Sequence, residues 1–151
     1  MVTLSVNNFN LQATIESGQI FRWEKIGQVY YVTVGNTVIK IQQHGNKLTY
    51  TTNNSDFDVL AFFGLDNKKY DMMLDEIKRT DKQAAAAVSK FSGLRLIAQS
   101  PWECTASFIC SSMSNIKRIQ KNLNTLAARL GNKMEFEGYK TYSFPSANII
   151  A

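Results

Sequence analysis

VYYVTVGNTVIKI, residues 29–41, is the stretch that decides the fold predicted for this chain of 151 residues. Runs of β-branched and aromatic residues, 29–34 and 38–41, flank Gly35 and Asn36, which is typical of two strands joined by a two-residue hairpin loop. Further strands are predicted at 47–51, after a turn at 44–46, at 20–23, and near the start at Leu4, Val6, Phe9 and Leu11. The first fifty residues therefore predict an antiparallel sheet.

From Asp56 onward, the apolar residues recur at helical spacing. Short helices are predicted from Phe57, Leu60 and Phe63, and from Met72, Met73 and Ile77. Another helix is predicted over 82–91, with Gly93 in the position expected just beyond a helix C-terminus.

Two longer amphipathic helices are predicted after Gly93. Ser100 at the N-cap, Pro101 at the first helical position and Glu103 at the third predict a capping box. The first helix is expected to bury Trp102, Ala106, Ile109 and Met113. The second is expected to carry an apolar stripe at Ile116, Ile119, Leu123, Leu126 and Leu130, opposite Lys117, Lys121 and Arg129.

These patterns divide the chain near Gly93. Residues 1–92 predict an α+β domain, an antiparallel sheet with packed helices, and residues 93–151 predict the start of an all-α domain. The second domain is expected to be incomplete, because its helices have apolar stripes but few partners after them.

Composition excludes several classes of protein. An apolar content of 44% with two prolines and eight glycines excludes a disordered chain. No stretch approaches the ~18 consecutive apolar residues of a membrane span, and residues 1–10 lack the features of a signal peptide. Cys104 and Cys110 fall on different sides of one predicted helix and cannot pair, which favours a reduced, cytoplasmic setting, nucleoid-associated in a prokaryote.

The net charge of +5 is concentrated in one segment. Residues 82–133 contain eight Lys or Arg and one acid, Glu103, a net charge of +7, whereas 1–81 and 134–151 each carry −1. Such asymmetry favours a polyanionic partner, and a solvated basic helix face is the alternative.

No standard catalytic or cofactor signature is present. The chain has no Gly-rich phosphate loop and no His/Cys metal spacing, and one histidine, His44, does not build a triad. No metal and no cofactor are therefore expected.

Five motifs in order cover nearly the whole chain: SGQIFRW (17–23), GLRLIAQSPWEC (93–104), SFICSS (107–112), NIKRI (115–119) and YSFPS (142–146). They closely resemble the amino-terminal half of the 8-oxoguanine DNA glycosylase family of N-glycosylase/DNA lyases. The resemblance implies a first domain similar to one repeat of the TATA-binding protein, followed by the first helices of a helix–hairpin–helix domain. It also implies base excision repair, in which oxidised guanine is flipped out of double-stranded DNA into a pocket between the domains.

The family's catalytic residues have no match here. Its nucleophilic lysine follows a helix–hairpin–helix and its catalytic aspartate lies further on, both in the carboxy-terminal half. The sequence stops at Ala151 without that hairpin. No catalytic residue is assigned, and the chain by itself is expected to be inactive.

Gly18 matches the glycine whose main-chain carbonyl reads the damaged base. Oxidation at C8 turns guanine N7 from an acceptor into an N–H donor, so a fixed carbonyl distinguishes the two bases. Only a residue without a side chain lets the backbone approach a base so closely.

The resemblance also assigns DNA contacts. Arg118 matches the arginine that contacts the cytosine left behind by the extruded base, since its fixed donors suit the acceptors of cytosine. Asn115 matches the last of three consecutive asparagines in the family. The charge of +7 over residues 82–133, rather than the resemblance, places Lys117 and Lys121 near the DNA backbone or groove.

Met113 and Ser114 depart from the family, which has asparagine at both positions. The first of those asparagines fills the hole left by the flipped base. Methionine either wedges there as an apolar plug or shows that this gap-filling has been lost.

Three functions stay open at this point. One is the lesion-recognition half of a glycosylase, another a non-catalytic DNA-binding module, and the third a subunit completed in trans by a carboxy-terminal half. Either that half or self-association is expected to cover the stripe over 116–130.

Overall fold

The computed structural model of the chain describes residues 1–66 and 69–151. Five strands form an antiparallel sheet in the order β1-β5-β4-β3-β2: β1 Val2–Ser5, β2 Trp23–Ile26, β3 Val29–Val34, β4 Thr37–His44 and β5 Lys47–Thr52. Val34 pairs with Thr37, which confirms the two-residue hairpin loop. The α+β class predicted from the sequence is confirmed.

Two short helices accompany the sheet. The first, α1 Leu11–Ile15, lies between β1 and β2, and the second, α2 Val59–Phe62, follows β5. The apolar residues of these helices pack with those of one face of the sheet and form the main core. It includes Leu11 and Ile15 of α1, Phe63 just after α2, and Val32, Ile39 and Leu48 of the strands. The helices α3 Tyr70–Thr80 and α4 Lys82–Lys90 follow and contribute no buried residue.

The rest of the chain adds α5 Pro101–Ser111, α6 Ile116–Leu130, a hairpin of β6 Lys133–Phe136 and β7 Tyr139–Tyr142, and α7 Ala147–Ile150. The hairpin, which the sequence patterns did not predict, covers the second face of the sheet. Tyr139 stacks on Tyr31 with 4.5 Å between ring centroids. The Thr33 and Thr141 hydroxyls are 3.3 Å apart. Since β3 is buried on both faces, it is apolar along nearly its whole length.

Both predicted strands of the first 23 residues are partly wrong. β1 ends at Ser5, and Leu11 lies in α1, because the Asn10 side chain caps that helix by accepting the Ala13 N–H at 2.9 Å. β2 begins at Trp23 rather than at Ile20.

The short helix predicted from Met72, Met73 and Ile77 is confirmed as α3. These three apolar residues are nevertheless exposed. The helix is held at its first turn instead, where the Tyr70 hydroxyl donates to the Leu94 carbonyl at 2.7 Å and the Arg95 guanidinium lies over the Tyr70 ring.

The capping box at α5 does not form. The Ser100 side chain makes no capping bond, and the Glu103 carboxylate turns inward, where it accepts the Gly35 N–H at 2.7 Å. The buried face of α5 therefore carries Glu103, Ala106 and Ser107. The predicted stripe is wrong at its other three positions, since Trp102, Ile109 and Met113 are exposed.

The stripe on α6 is confirmed in its middle. Ile119 and Leu123 are buried with Ala106 of α5 and with Phe144 in a second, smaller core. The expectation that this stripe would lie uncovered is thus wrong for the centre of the helix. Ile116 and Leu130, near its two ends, remain exposed.

Candidate functional site

The loop that carries Gly18 connects α1 to β2 and is fixed by side-chain hydrogen bonds. The Ser17 hydroxyl donates to the Thr14 carbonyl at 2.8 Å. The Gln19 amide donates to the Arg95 carbonyl and accepts the Ile97 N–H, both at 2.9 Å. Gln19 therefore ties this loop to the segment that precedes α5. Its role was missed from the sequence, where only its place beside Gly18 marked it.

Gly18 needs to be glycine because of its backbone conformation. Its φ is +87°, in the left-handed region that side chains rarely adopt. Crowding is a minor factor, since an added Cβ would meet only Ile116 Cδ1, at an ordinary 3.7 Å.

The loop between α5 and α6 carries the positions that depart from the family pattern. Met113 has a φ of +51°, and its side chain is fully exposed. The Ser114 Oγ atom is buried and has no hydrogen-bond partner among the described residues. Asn115 caps α6, because its Oδ1 accepts the Arg118 N–H at 3.0 Å.

These two loops line one cleft, although almost a hundred residues separate them in sequence. The cleft is wide and shallow, with a volume of about 690 Å³. Ser17, Gly18 and Phe21 form one wall, and the other runs from Ser114 to Lys117, with Ile119. Three predicted site residues besides Gly18 thus come together here: Ser114, Asn115 and Lys117.

The other three predicted site residues lie outside this lining. Met113 projects into solvent at the tip of its loop, and Arg118 is exposed on the first turn of α6. Lys121 lines a neighbouring groove between α6 and β7.

The cleft is electrostatically suited to an anion. The N-terminal turn of α6, a helix of 15 residues, opens into it, and unpaired N–H groups there carry partial positive charge. Lys117, Arg118 and Lys121 are exposed, and within residues 1–66 and 69–151 none of them forms an ion pair.

One positively charged residue of the basic segment, Arg95, lies inside the protein. Arg95 is buried, lies 3.4 Å from Asp71 and donates to the Asn8 carbonyl. It is therefore a structural residue and not part of the exposed basic surface.

The described part of the chain offers no group of three His, Cys, Asp or Glu residues that could hold a metal ion. No helix in it is long and apolar enough to cross a membrane. Cys104 is exposed and Cys110 half-buried, and both are free thiols.

The family model of the 8-oxoguanine DNA glycosylase N-terminal domain matches residues 1–105. The chain therefore belongs to the 8-oxoguanine DNA glycosylase family, through that domain. This confirms the resemblance seen in the sequence motifs.

Two curated relatives agree with this assignment. The chain is 30% identical over 160 residues to the N-glycosylase/DNA lyase of Saccharomyces cerevisiae, covering 91% of this chain and 41% of that protein. It is 26% identical over 157 residues to the N-glycosylase/DNA lyase OGG1 of Arabidopsis thaliana, covering 98% and 43%. The chain thus spans less than half the length of these relatives.

Solved structures share the fold. MBOgg1 in complex with a low-affinity DNA ligand superposes with a TM-score of 0.89 at 28% identity, over 98% of this chain and 52% of that one. The 8-oxoguanine glycosylase/lyase of Clostridium acetobutylicum in its apo form superposes with a TM-score of 0.86 at 24% identity, over 99% and 56%.

Proposed function

We propose that residues 1–151 are the DNA-binding and lesion-recognition half of an 8-oxoguanine DNA glycosylase/AP lyase, which acts in base excision repair of oxidised guanine. The observation that carries the proposal is the shared cleft, in which the Gly18 loop faces the N-terminus of α6. Double-stranded DNA is the partner. A DNA substrate places the site of action at the chromosome, which in a prokaryote is the nucleoid.

Gly18 reads the lesion through its carbonyl oxygen. The N7–H of 8-oxoguanine donates to this acceptor, whereas N7 of guanine is itself an acceptor and would leave the carbonyl unpaired, at a cost of about 1–3 kcal/mol. The two hydrogen bonds of Gln19 hold the loop in place before the base arrives, which favours selective binding.

The start of α6 supplies the contacts to the rest of the duplex. The Arg118 guanidinium has no hydrogen bond or ion pair with a described residue, so its donors are available for the unpaired cytosine; the bond to Asn115 uses the backbone N–H. Lys117 and Lys121 lie one helical turn apart and contact phosphates. Met113 is the wedge: its exposed apolar side chain enters the base stack, as apolar residues do in other DNA-kinking proteins.

Gly18→Ala tests the reading of the lesion, and Gly138→Ala is its matched control. Gly138 has nearly the same φ, +81°, but nothing lies within 4 Å of an added Cβ. Binding is measured by fluorescence anisotropy on duplexes with 8-oxoguanine or guanine opposite cytosine. We expect Gly18→Ala to abolish the preference for the lesion and Gly138→Ala to keep it. Equal affinity of the unmodified chain for both duplexes would contradict the proposal.

Lys117→Ala and Lys121→Ala test the phosphate contacts. Each lysine that neutralises a phosphate releases counterions, so each substitution is expected to flatten the dependence of log affinity on log salt by about one unit. Unchanged slopes would mean that these lysines only face solvent.

A carboxy-terminal half is the second partner that we propose. In the proposed arrangement the first domain ends near Gly93, and the helices after it begin the second. Phe108 and Ile109 are 78% and 67% exposed on the outer face of α5. That apolar surface is covered by the carboxy-terminal half, or by self-association when the half is missing.

A further inference from the structure

A second groove, of about 400 Å³, lies between α6 and β7. Of the residues that line it, the proposed function uses only Lys121. Its walls carry polar side chains from both elements: Lys121, Asn124 and Thr125 from α6, and Tyr139, Lys140 and Thr141 from β7.

The side chains of this groove are hydrogen-bond donors of the kinds that contact DNA phosphates. Lysine, asparagine, threonine and tyrosine are among the side chains that contact the sugar–phosphate backbone. Burial raises the pKa of Tyr139, and the Glu24 carboxylate, to which its hydroxyl is hydrogen-bonded, raises it further.

The charge of the groove is positive. Lys121 and Lys140 outweigh Glu24, the one carboxylate in its lining as far as the chain is described. Arg22 also borders the groove, but its charge is balanced by Glu103. The groove therefore favours an anionic ligand.

The groove continues the cleft at Gly18 along one helix. Lys117 lines the cleft and Lys121, one turn further on the same face, lines the groove. From Lys117, the helix rises about 6 Å to Lys121 and about 16 Å to Ala128, the two ends of the groove on α6. One strand of B-DNA advances about 3.4 Å per phosphate, so these distances correspond to about two and about five nucleotides.

We propose that the groove between α6 and β7 binds the phosphodiester backbone of the same DNA, about two to five nucleotides from the base held at Gly18. The inference rests on the proposed function and extends the contact surface beyond the lesion. It makes Lys140 a DNA-binding residue, although Lys140 lies on a strand of the hairpin and outside the basic segment 82–133.

The test uses the full chain and a duplex of about 24 base pairs with a central 8-oxoguanine, long enough to span both sites. Lys140→Ala is expected to lower the salt slope by about one unit. Lys47→Ala is the matched control, an exposed strand lysine on β5, and is expected to leave the slope unchanged. Asn124→Lys adds a charge to the groove and is expected to raise the slope by about one unit.

Phosphate-ethylation interference then locates the contact. We expect the unmodified chain to show interference near the lesion and again about two to five nucleotides away, and Lys140→Ala to lose only the distant cluster. If Lys140→Ala and Asn124→Lys change neither slope nor pattern while Lys117→Ala still lowers the slope, the groove is not a DNA site and the proposed function stands. If Lys117→Ala is also without effect, both proposals fail.

Discussion

Arg22 and Glu103 form an ion pair inside the protein, with 3.5 Å between Nη1 and Oε1 and both side chains almost fully buried. The guanidinium also donates to the Tyr142 carbonyl, and the carboxylate accepts the Gly35 N–H. Burial raises the pKa of Glu103 and lowers that of Arg22, because it disfavours both charged forms. The pair joins the sheet, α5 and β7 at one point.

Arg22→Met is expected to destabilise the chain strongly. It leaves the Glu103 carboxylate buried without its counter-ion, which typically costs about 3–5 kcal/mol. Urea unfolding gives the free energy of unfolding. Lys40→Met is the control, since it breaks the solvent-accessible pair with Glu137 and is expected to cost at most about 1 kcal/mol. A similarly small loss for Arg22→Met would contradict the prediction.

Tyr30→Phe is expected to destabilise the chain in a pH-dependent way. The Tyr30 hydroxyl donates to Glu16 at 2.6 Å, and this hydrogen bond is the main reason that the pKa of Glu16 is lowered. A lowered carboxyl pKa contributes stability above the unfolded value of about 4.3 and loses it as pH falls through the folded value.

Tyr30→Phe should therefore lower the free energy of unfolding by about 1 kcal/mol at neutral pH. The loss should become smaller at acidic pH. The measurement is urea unfolding from neutral to acidic pH. Tyr50→Phe serves as the control, because the Tyr50 hydroxyl makes no hydrogen bond with a described residue. A pH-independent cost for Tyr30→Phe would refute this account.

The elements that could be predicted are those whose pattern is local. The hairpin over 29–41 and the amphipathic α6 follow from spacing alone, because neighbouring residues decide which face is buried. The capping box does not form because the Glu103 side chain has more favourable partners far away in sequence. Glu103 is better satisfied by Gly35 and Arg22, 68 and 81 residues away, than by its own helix end.

The candidate site could not be predicted from local sequence patterns either, because it also depends on contacts between residues that are distant in sequence. Gly18 and Asn115 face one cleft only because the sheet, α5 and α6 pack together. The spacing of apolar residues along the sequence does not predict that packing. The family resemblance supplied both residues. It did not supply Gln19, whose hydrogen bonds to Arg95 and Ile97 become visible only in three dimensions.

The outer face of α5 is expected to cause self-association. Phe108→Ser should shift the equilibrium toward the monomer, since it removes the most exposed aromatic side chain of that face. Sedimentation over a concentration series measures the shift. Met72→Ser, at an equally exposed apolar residue of α3, is the control and should leave association unchanged. A chain that is monomeric at every concentration would contradict the prediction.

Residues 1–151 alone are expected not to release 8-oxoguanine and not to form an adduct trapped by borohydride. Schiff-base chemistry needs a positioned amine, and the resemblance assigns the family's nucleophilic lysine to the carboxy-terminal half. The assay is gel analysis of labelled duplex after borohydride treatment, with a full-length 8-oxoguanine glycosylase as positive control. A trapped adduct would identify a nucleophile within these residues.

The return of the β6–β7 hairpin to the sheet sets the earliest time at which the sheet of a newly made chain can be covered on both faces. Thr33 and Thr141 touch across 108 residues of sequence, and contacts at such separation form slowly because a long loop must close first. At a synthesis rate of about 5–20 residues per second, Tyr31 waits roughly 5–20 s on the ribosome for Tyr139 to cover it. During that interval the outer face of β3 is bare, and the nascent sheet is most open to aggregation between the emergence of β4 and that of β7.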